Sequence, residues 1–360
     1  MAQVRVDGCY RRTFALTEAQ AKRSLRRMLA GVDAGSGVSD GNETLGALLD
    51  RWATKVLPAQ SLAARTLDSY RWACGVLTED LGSTRLRRLT ADQIERCFER
   101  RADAGMSRAS LVKIRSVLGK ALEYAQRRGL VTSNAARIVE LPAQARRAEP
   151  GRALTVDQAR HLLAVAKHRR LEALWTVMLY LGLRPGEAMG LTWGDVDLKR
   201  GVIHVRRSLK LERGKLVVDE RLKTARSRRS LDCPPAVVEA LLAHRDRQTK
   251  TRRTAGDAWD GRLDLVFTTG VGTPLHPRNL YRSFAALTNS AGLGAWHPHE
   301  LRHTAASIMS AEGVPLERIA DVLGHDGTRM TMLVYRHAIK PTVDGALVMG
   351  NALGQNDTPT

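Results

Sequence analysis

The chain is poor in several things that would decide its class. It has four cysteines in 360 residues, Cys9, Cys74, Cys97 and Cys233, and no CxxC pair. A zinc ribbon and a disulfide scaffold are thereby excluded, because both need cysteines in close pairs or dense sets. Long apolar runs are missing too. The longest mostly apolar stretch, Ala173 to Leu183, falls far short of the ~20 residues that span a membrane. The N-terminus, MAQVRVDGCYRR, has none of the apolar core of a secretory signal. No GxxxxGK[ST] loop is present, so nothing signals ATP. There is no internal repeat and no long low-complexity tract. With 26% charged and 43% apolar residues the composition is still globular, and the length suits two or three domains. The expectation is a soluble, cytoplasmic protein.

Acidic residues are the remaining shortage. There are 57 Lys+Arg against 37 Asp+Glu, a net charge of +20. The excess is spread along the chain: net +3 over residues 1–40, +6 over 41–142 and +12 over 143–345. A surface that is basic along its whole length suits a polyanion such as nucleic acid. Of the cations, 46 are Arg, whose planar fork matches phosphate oxygens better than an ammonium does.

Local signals divide the chain. In residues 1–30, Tyr10 to Phe14 reads as a strand, and Thr17-Glu-Ala-Gln20 is a capping box opening a helix to about Ala30. Residues 31–42 are rich in Gly, Ser and Asp and read as a linker. Residues 43–142 read as a bundle of about four helices, near 44–56, 63–80, from the Thr90–Gln93 capping box, and from Ser107. In the last of these Leu111, Ile114, Leu118, Leu122 and Ala125 form one apolar face. A second loose stretch, residues 143–151, follows. Residues 152–345 are mixed: Thr155 to Gln158 caps a helix, Val202–Ser208, Lys215–Val218 and Arg228–Leu231 read as strands of a small sheet, and helices dominate from Pro277. The fold class is therefore mainly α with a small β-sheet (α+β).

Four segments carry the chemistry. Gly182-Leu-Arg184-Pro-Gly-Glu187 ends a buried helix with a cation, which needs an anion such as Glu187. His299-Glu-Leu-Arg302-His303 follows Pro298, and on a helix His299, Arg302 and His303 share one face. Two functional readings compete there. One is HExxH, with His299 and His303 as zinc ligands and Glu300 as base; the other is a His/Arg pair that holds a phosphate. Against zinc, Ala306 and Met309 occupy the positions where a metzincin has Gly and His, neither Glu317 nor Asp321 lies in a ligand motif, and Arg302 would repel the metal. Leu323-Gly-His325 places a histidine just past a helix that runs from Pro315 to Gly324. Val334-Tyr335-Arg336-His337 carries one of only six tyrosines. Taken together, two guanidiniums, two imidazoles and a phenol suit phosphodiester chemistry. The arginines clamp non-bridging oxygens, and the phenol is the nucleophile. A phenol has a pKa of ~10, so its deprotonation needs help from an imidazole or the cations.

GLRPGE, HELRHT, LGH and VYRH, in this order over Arg184 to Tyr335, resemble the tyrosine recombinases, the phage-integrase family; the likeness covers about residues 43–345. The resemblance implies that Arg184 and Arg302 hold the scissile phosphate. It implies that His299 and His325 support proton transfer, that Tyr335 attacks phosphorus, and that Glu187 supports Arg184. It also implies a lysine general acid on a hairpin, best matched by Lys223, with Lys210 and Lys215 on the same sheet as runners-up. Domains follow in the same way. Residues 1–30 resemble part of an arm-type DNA-binding segment, 43–142 a helical, SAM-like core-binding domain, 152–345 the catalytic domain, and 346–360 a C-terminal tail, of which Ala346 to Leu353 is expected to pack on a neighbouring protomer. The implied partners are double-stranded DNA and three further protomers, a homotetramer on two duplexes. An accessory protein that bends DNA or sets direction is left open. No cofactor and no metal is expected. The other readings are a catalytically inactive DNA-binding protein of this fold and an HExxH zinc peptidase.

Overall fold

The computed structural model describes residues 2–6, 9–13, 17–22, 43–146, 152–212, 214–220 and 227–324. The chain divides into two compact units, Met1–Ala148 and Glu149–Thr360. No helix among the described residues is long and apolar enough to cross a membrane.

In the first unit, β1 (Ala2–Val6) pairs antiparallel with β2 (Cys9–Thr13). The Thr17 hydroxyl accepts from the Gln20 amide at the start of a helical turn over 18–22. Four helices then form the bundle: α1 (Leu45–Arg51, continued by a π turn, Trp52–Val56), α2 (Ala64–Leu81), α3 (Ala91–Asp103) and α4 (Arg108–Arg127). Their starts are written locally. Thr44 and Ser107 accept from amides of the first turn, and Thr90 with Gln93 closes a full capping box. The apolar face of α4 from Leu111 to Ala125 is buried against Leu48, Leu49, Leu77 and Phe98.

The second unit holds α5 (Val156–Ala166), α6 (Glu172–Leu181), α7 (Pro185–Met189), β3 (Val196–Asp197), β4 (Val202–Val205), β5 (Ser208–Glu212), β6 (Lys215–Asp219), β7 (Arg229–Asp232), α8 (Pro235–Ala255), α9 (Pro277–Ser290), α10 (His299–Ala311) and α11 (Leu316–Leu323). Helix α6 is apolar nearly all round and forms the centre of the core, with Trp175 against Phe284 of α9 at 4.9 Å between ring centroids.

The strands correct one expectation. They form two sheets, β3-β4-β7 and the hairpin β5-β6. The segment expected as one strand from Val202 breaks at Arg206 and Arg207. Both guanidiniums turn to the buried Asp195 carboxylate, at 3.5 and 3.6 Å. Lys210 and Lys215 therefore stand on a different sheet from β7. Helix α7 lies against β5 through two glycines. A Cβ on Gly186 would meet the Leu209 carbonyl oxygen at 2.9 Å, and one on Gly190 the Leu209 nitrogen at 2.9 Å.

Candidate active site

Two helix ends build the site. Helix α6 stops at Gly182, whose φ of +59° is the left-handed turn that closes a helix without a Cβ penalty. Helix α11 stops the same way at Gly324, φ +65°. Each end leaves carbonyls without helical partners and a partial negative charge, which suits a guanidinium. Three arginines take three successive carbonyls of α11 and its cap. Arg229 Nε donates to Val322 at 2.6 Å, Arg302 Nη2 to Leu323 at 2.5 Å and Arg184 Nη2 to Gly324 at 3.4 Å. Arg302 Nη1 also donates to the Gly182 carbonyl at 2.8 Å, so one side chain joins both helix ends.

Arg184 caps α7 where the sequence suggested a plain Pro-Gly turn. Its Nη1 donates to Glu187 Oε1 at 2.7 Å and its amide to Glu187 Oε2 at 3.0 Å. Glu187 is 3% exposed, and Arg229 Nη2 donates to its second oxygen at 3.0 Å. Burial pushes the Glu187 carboxyl upward, but the charges and hydrogen bonds of Arg229 and Arg184 outweigh it and hold the group below the usual carboxylate range. Access to solvent differs among the three cations. Arg184 is 36% exposed, Arg229 7% and Arg302 2%.

His299 opens α10, and its ring meets the edge of the His303 ring at 5.2 Å. Burial, then the neighbouring His303 and Arg302, push its pKa down to about 4. His303 is lowered for the same reasons, burial first and Arg302 next. Both rings are neutral near pH 7, able to accept a hydrogen bond or a proton.

Glu300 is engaged elsewhere. Its two oxygens accept from Arg152 Nε at 3.0 Å and Nη2 at 3.3 Å, and it also takes the His297 amide at 2.6 Å. Arg152 lies over the Trp296 ring at 4.2 Å, and two residues on the Leu154 amide donates to Thr304 Oγ1 at 3.0 Å. The chain entering the second unit is thus strapped along α10. With Glu300 held in this way, the base that a zinc peptidase would need is occupied. Among the described residues no group of three or more His, Cys, Asp or Glu could hold a metal.

Of the residues singled out from the sequence, Arg184, His299 and Arg302 are placed around these helix ends. Lys223, His325 and Tyr335 lie outside the described residues, as do residues 31–42 and 346–360. Lys210 is ion-paired with Asp219 across the β5-β6 hairpin, and Lys215 lies opposite Glu212. Arg229 was not foreseen. It stands among Arg226 and Arg228 in a basic run, and only its burial distinguishes it. It lines a cleft of ≈ 430 Å³ together with Arg206, Arg207, Arg228, His204 and Glu220.

The sequence pattern of the phage integrase family matches residues 152–341. The integrase of Streptomyces ambofaciens is 34% identical over 351 residues, covering 92% of this chain and 86% of that protein. The solved structure of the Tn1549 transposon integrase in complex with transposon right end DNA aligns with a TM-score of 0.72 at 19% identity, over 87% of this chain and 100% of that one. A lambda integrase tetramer bound to a Holliday junction gives a TM-score of 0.60 at 19% identity, over 91% and 93%. The two structures share the fold. A family pattern that spans more than half the chain, and a relative alike over nearly all of it, agree with the arginine-lined helix ends: the chain belongs to the phage integrase family, the tyrosine recombinases.

Proposed function

We propose that this site-specific DNA recombinase acts as the integrase of a mobile element in the cytoplasm, and that it cuts and rejoins DNA through a 3′-phosphotyrosine intermediate without ATP or metal. The observation that carries the reading is the meeting of Arg184 and Arg302 at the two helix ends, with His299 one turn before Arg302 on α10. In this reading, Arg184 and Arg302 hold the non-bridging oxygens of the scissile phosphate and stabilise the charge that grows on the pentacovalent transition state. The Tyr335 oxygen attacks phosphorus, and the bond from phosphorus to the 5′ oxygen breaks. The phenol proton leaves to an imidazole, His299 or His325, or to water. Lys223 gives a proton to the departing 5′ oxygen; its amine is suited to this because its pKa moves readily, whereas a guanidinium stays protonated. The 5′-hydroxyl of the partner strand then attacks the phosphotyrosine, restores the phosphodiester and releases Tyr335. The energy of each broken bond stays in the covalent intermediate, so no nucleotide is consumed.

Four protomers on two duplexes would exchange one pair of strands and then the other. The likeness to a lambda integrase tetramer on a Holliday junction supports this assembly. Residues 43–142 would hold one face of the DNA and residues 152–345 the other, with 1–30 as a partial arm-type segment.

The test is covalent adduct formation in EDTA, on nicked duplexes spanning the junctions of the element that carries the coding sequence. The parent chain is expected to form a denaturant-stable adduct that maps the cleavage site, and Tyr335→Phe none. Normal turnover by Tyr335→Phe would refute the nucleophile assignment. Tight binding with no adduct in either chain would mark a DNA-binding protein that lacks the reaction.

A further inference from the structure

Arg229 has no part in the reaction as read above, yet three elements meet on it. From β7 it reaches Val322 of α11 through Nε and Glu187 of α7 through Nη2, at 2.6 and 3.0 Å, while Nη1 donates to the Ser227 carbonyl at 3.2 Å. All three nitrogens are engaged, and the side chain is nearly buried. Glu187 is the shared point. Its carboxylate stands between Arg229 and Arg184, one anion for two cations. The sharing has an electrostatic consequence. If Arg229 were absent, Glu187 would be left to Arg184 alone, and the two would form a neutral pair. With Arg229 present, the anion is divided and Arg184, the most exposed of the three arginines, keeps a positive field toward solvent.

We propose that Arg229 is a positioning residue for recombination: through Glu187 it sets both the orientation and the effective charge with which Arg184 meets the scissile phosphate. The inference rests on the reading of Arg184 as a phosphate clamp. Lysine at this position would keep the charge but reach only part of the bond set, because an ammonium lacks the fork. Glutamine would keep some hydrogen bonding and lose the charge.

The charge that Arg184 reads can be removed one phosphate at a time. In a Tyr335→Phe background, affinity is measured for the duplex mapped by adduct formation, carrying either the natural phosphodiester or an uncharged methylphosphonate at the scissile position. The parent should prefer the phosphodiester by about tenfold, the scale of a charge-assisted hydrogen bond. Arg184→Ala should lower the ratio to a few-fold, the part that Arg302 still carries. Arg229→Gln should lower it by a similar amount, and Arg229→Lys should retain most of the preference. With Tyr335 intact, Arg229→Gln should slow adduct formation at least as much as it lowers the ratio. A purely structural Arg229 would lower thermal stability and leave the ratio of the folded protein unchanged. That result, with Arg184→Ala lowering the ratio, overturns the inference. If Arg229→Gln does not fold, Arg229→His is read at pH 8, where the imidazole is neutral, and an unchanged ratio in it overturns the inference instead. A parent with no preference removes the clamp reading of Arg184, and the inference with it.

Discussion

At the scale of single residues, Glu187 and His299 make the same demand on pH in different windows: both have folded pKa values below their ordinary ones, so both lose stabilisation as pH falls. Glu187 is ionised because two guanidiniums surround it. Glu187→Gln leaves those two cations beside each other without their anion, and breaking a buried pair in this way costs about 3–5 kcal/mol. Chemical denaturation should show the loss in full at pH 7. His299 acts with the same sign at higher pH. Its folded pKa of about 4 lies below the ~6.5 of an unfolded histidine. Between those values the unfolded chain binds a proton that the folded chain does not, so stability rises with pH across that window and is lost as pH falls through it. Urea midpoints should therefore be lower at pH 5 than at pH 7.5, with a shallower dependence in His299→Asn. Bound DNA should act in reverse, because a phosphate beside the ring favours the imidazolium. Proton uptake on binding near pH 5.5, measured by calorimetry in buffers of different ionisation enthalpy, tests this. Arg184, Glu187, His299 and Arg302 could be singled out in the sequence because each sits in a short motif beside a helix end. Their differences in exposure could not, since burial of Arg302 under Gly182 and Leu323 is set by residues 120 and 21 positions away.

At the scale of elements, local chemistry announces helix starts and glycines announce helix ends. Thr90, Ser107 and Thr155 each cap the helix their spacing suggests. Pro315 and Gly324 bracket α11 as expected. Strand pairing is different. Nothing local says that β7 joins β4 while β5 pairs with β6, and at the break between β4 and β5 two arginines meet a buried aspartate from earlier in the chain. Two glycine substitutions separate these kinds of information. Gly182→Ala places a Cβ 2.5 Å from Leu323 Cδ2 at a φ of +59°. It should lower stability by about 1–2 kcal/mol and slow adduct formation, since the Gly182 carbonyl holds Arg302. Gly75→Ala lies within α2 and meets nothing within 4 Å. It should raise the melting temperature slightly, because alanine favours helix by up to about 1 kcal/mol. Equal effects from the two would refute this account of the helix end.

At the scale of the whole molecule, the charge excess of +20 is the strongest statement. It should appear as steep salt dependence. If binding neutralises at least ~6 phosphates, log affinity falls with log salt at a slope near −0.9 for each, and affinity drops on the order of 10³-fold between 50 and 200 mM. Fluorescence anisotropy on the mapped duplex measures the slope, and a nearly flat line would remove the phosphate-rich interface. The mainly helical class was legible from periodicity. The buried arginine of β7 was not, because a run of basic residues gives no local sign of which one turns inward.

The three arginines at the end of α11 recognise main-chain oxygens, and none of these bonds uses the side chain of Val322, Leu323 or Gly324. Recognition of this kind is indifferent to spelling and strict about count. Apolar residues at 322 and 323 can drift among similar shapes while every bond persists. A single inserted or deleted residue within α11 turns each carbonyl by about 100° around the helix axis. All three guanidiniums would then miss together, so across related chains this helix should vary in letters and keep its length.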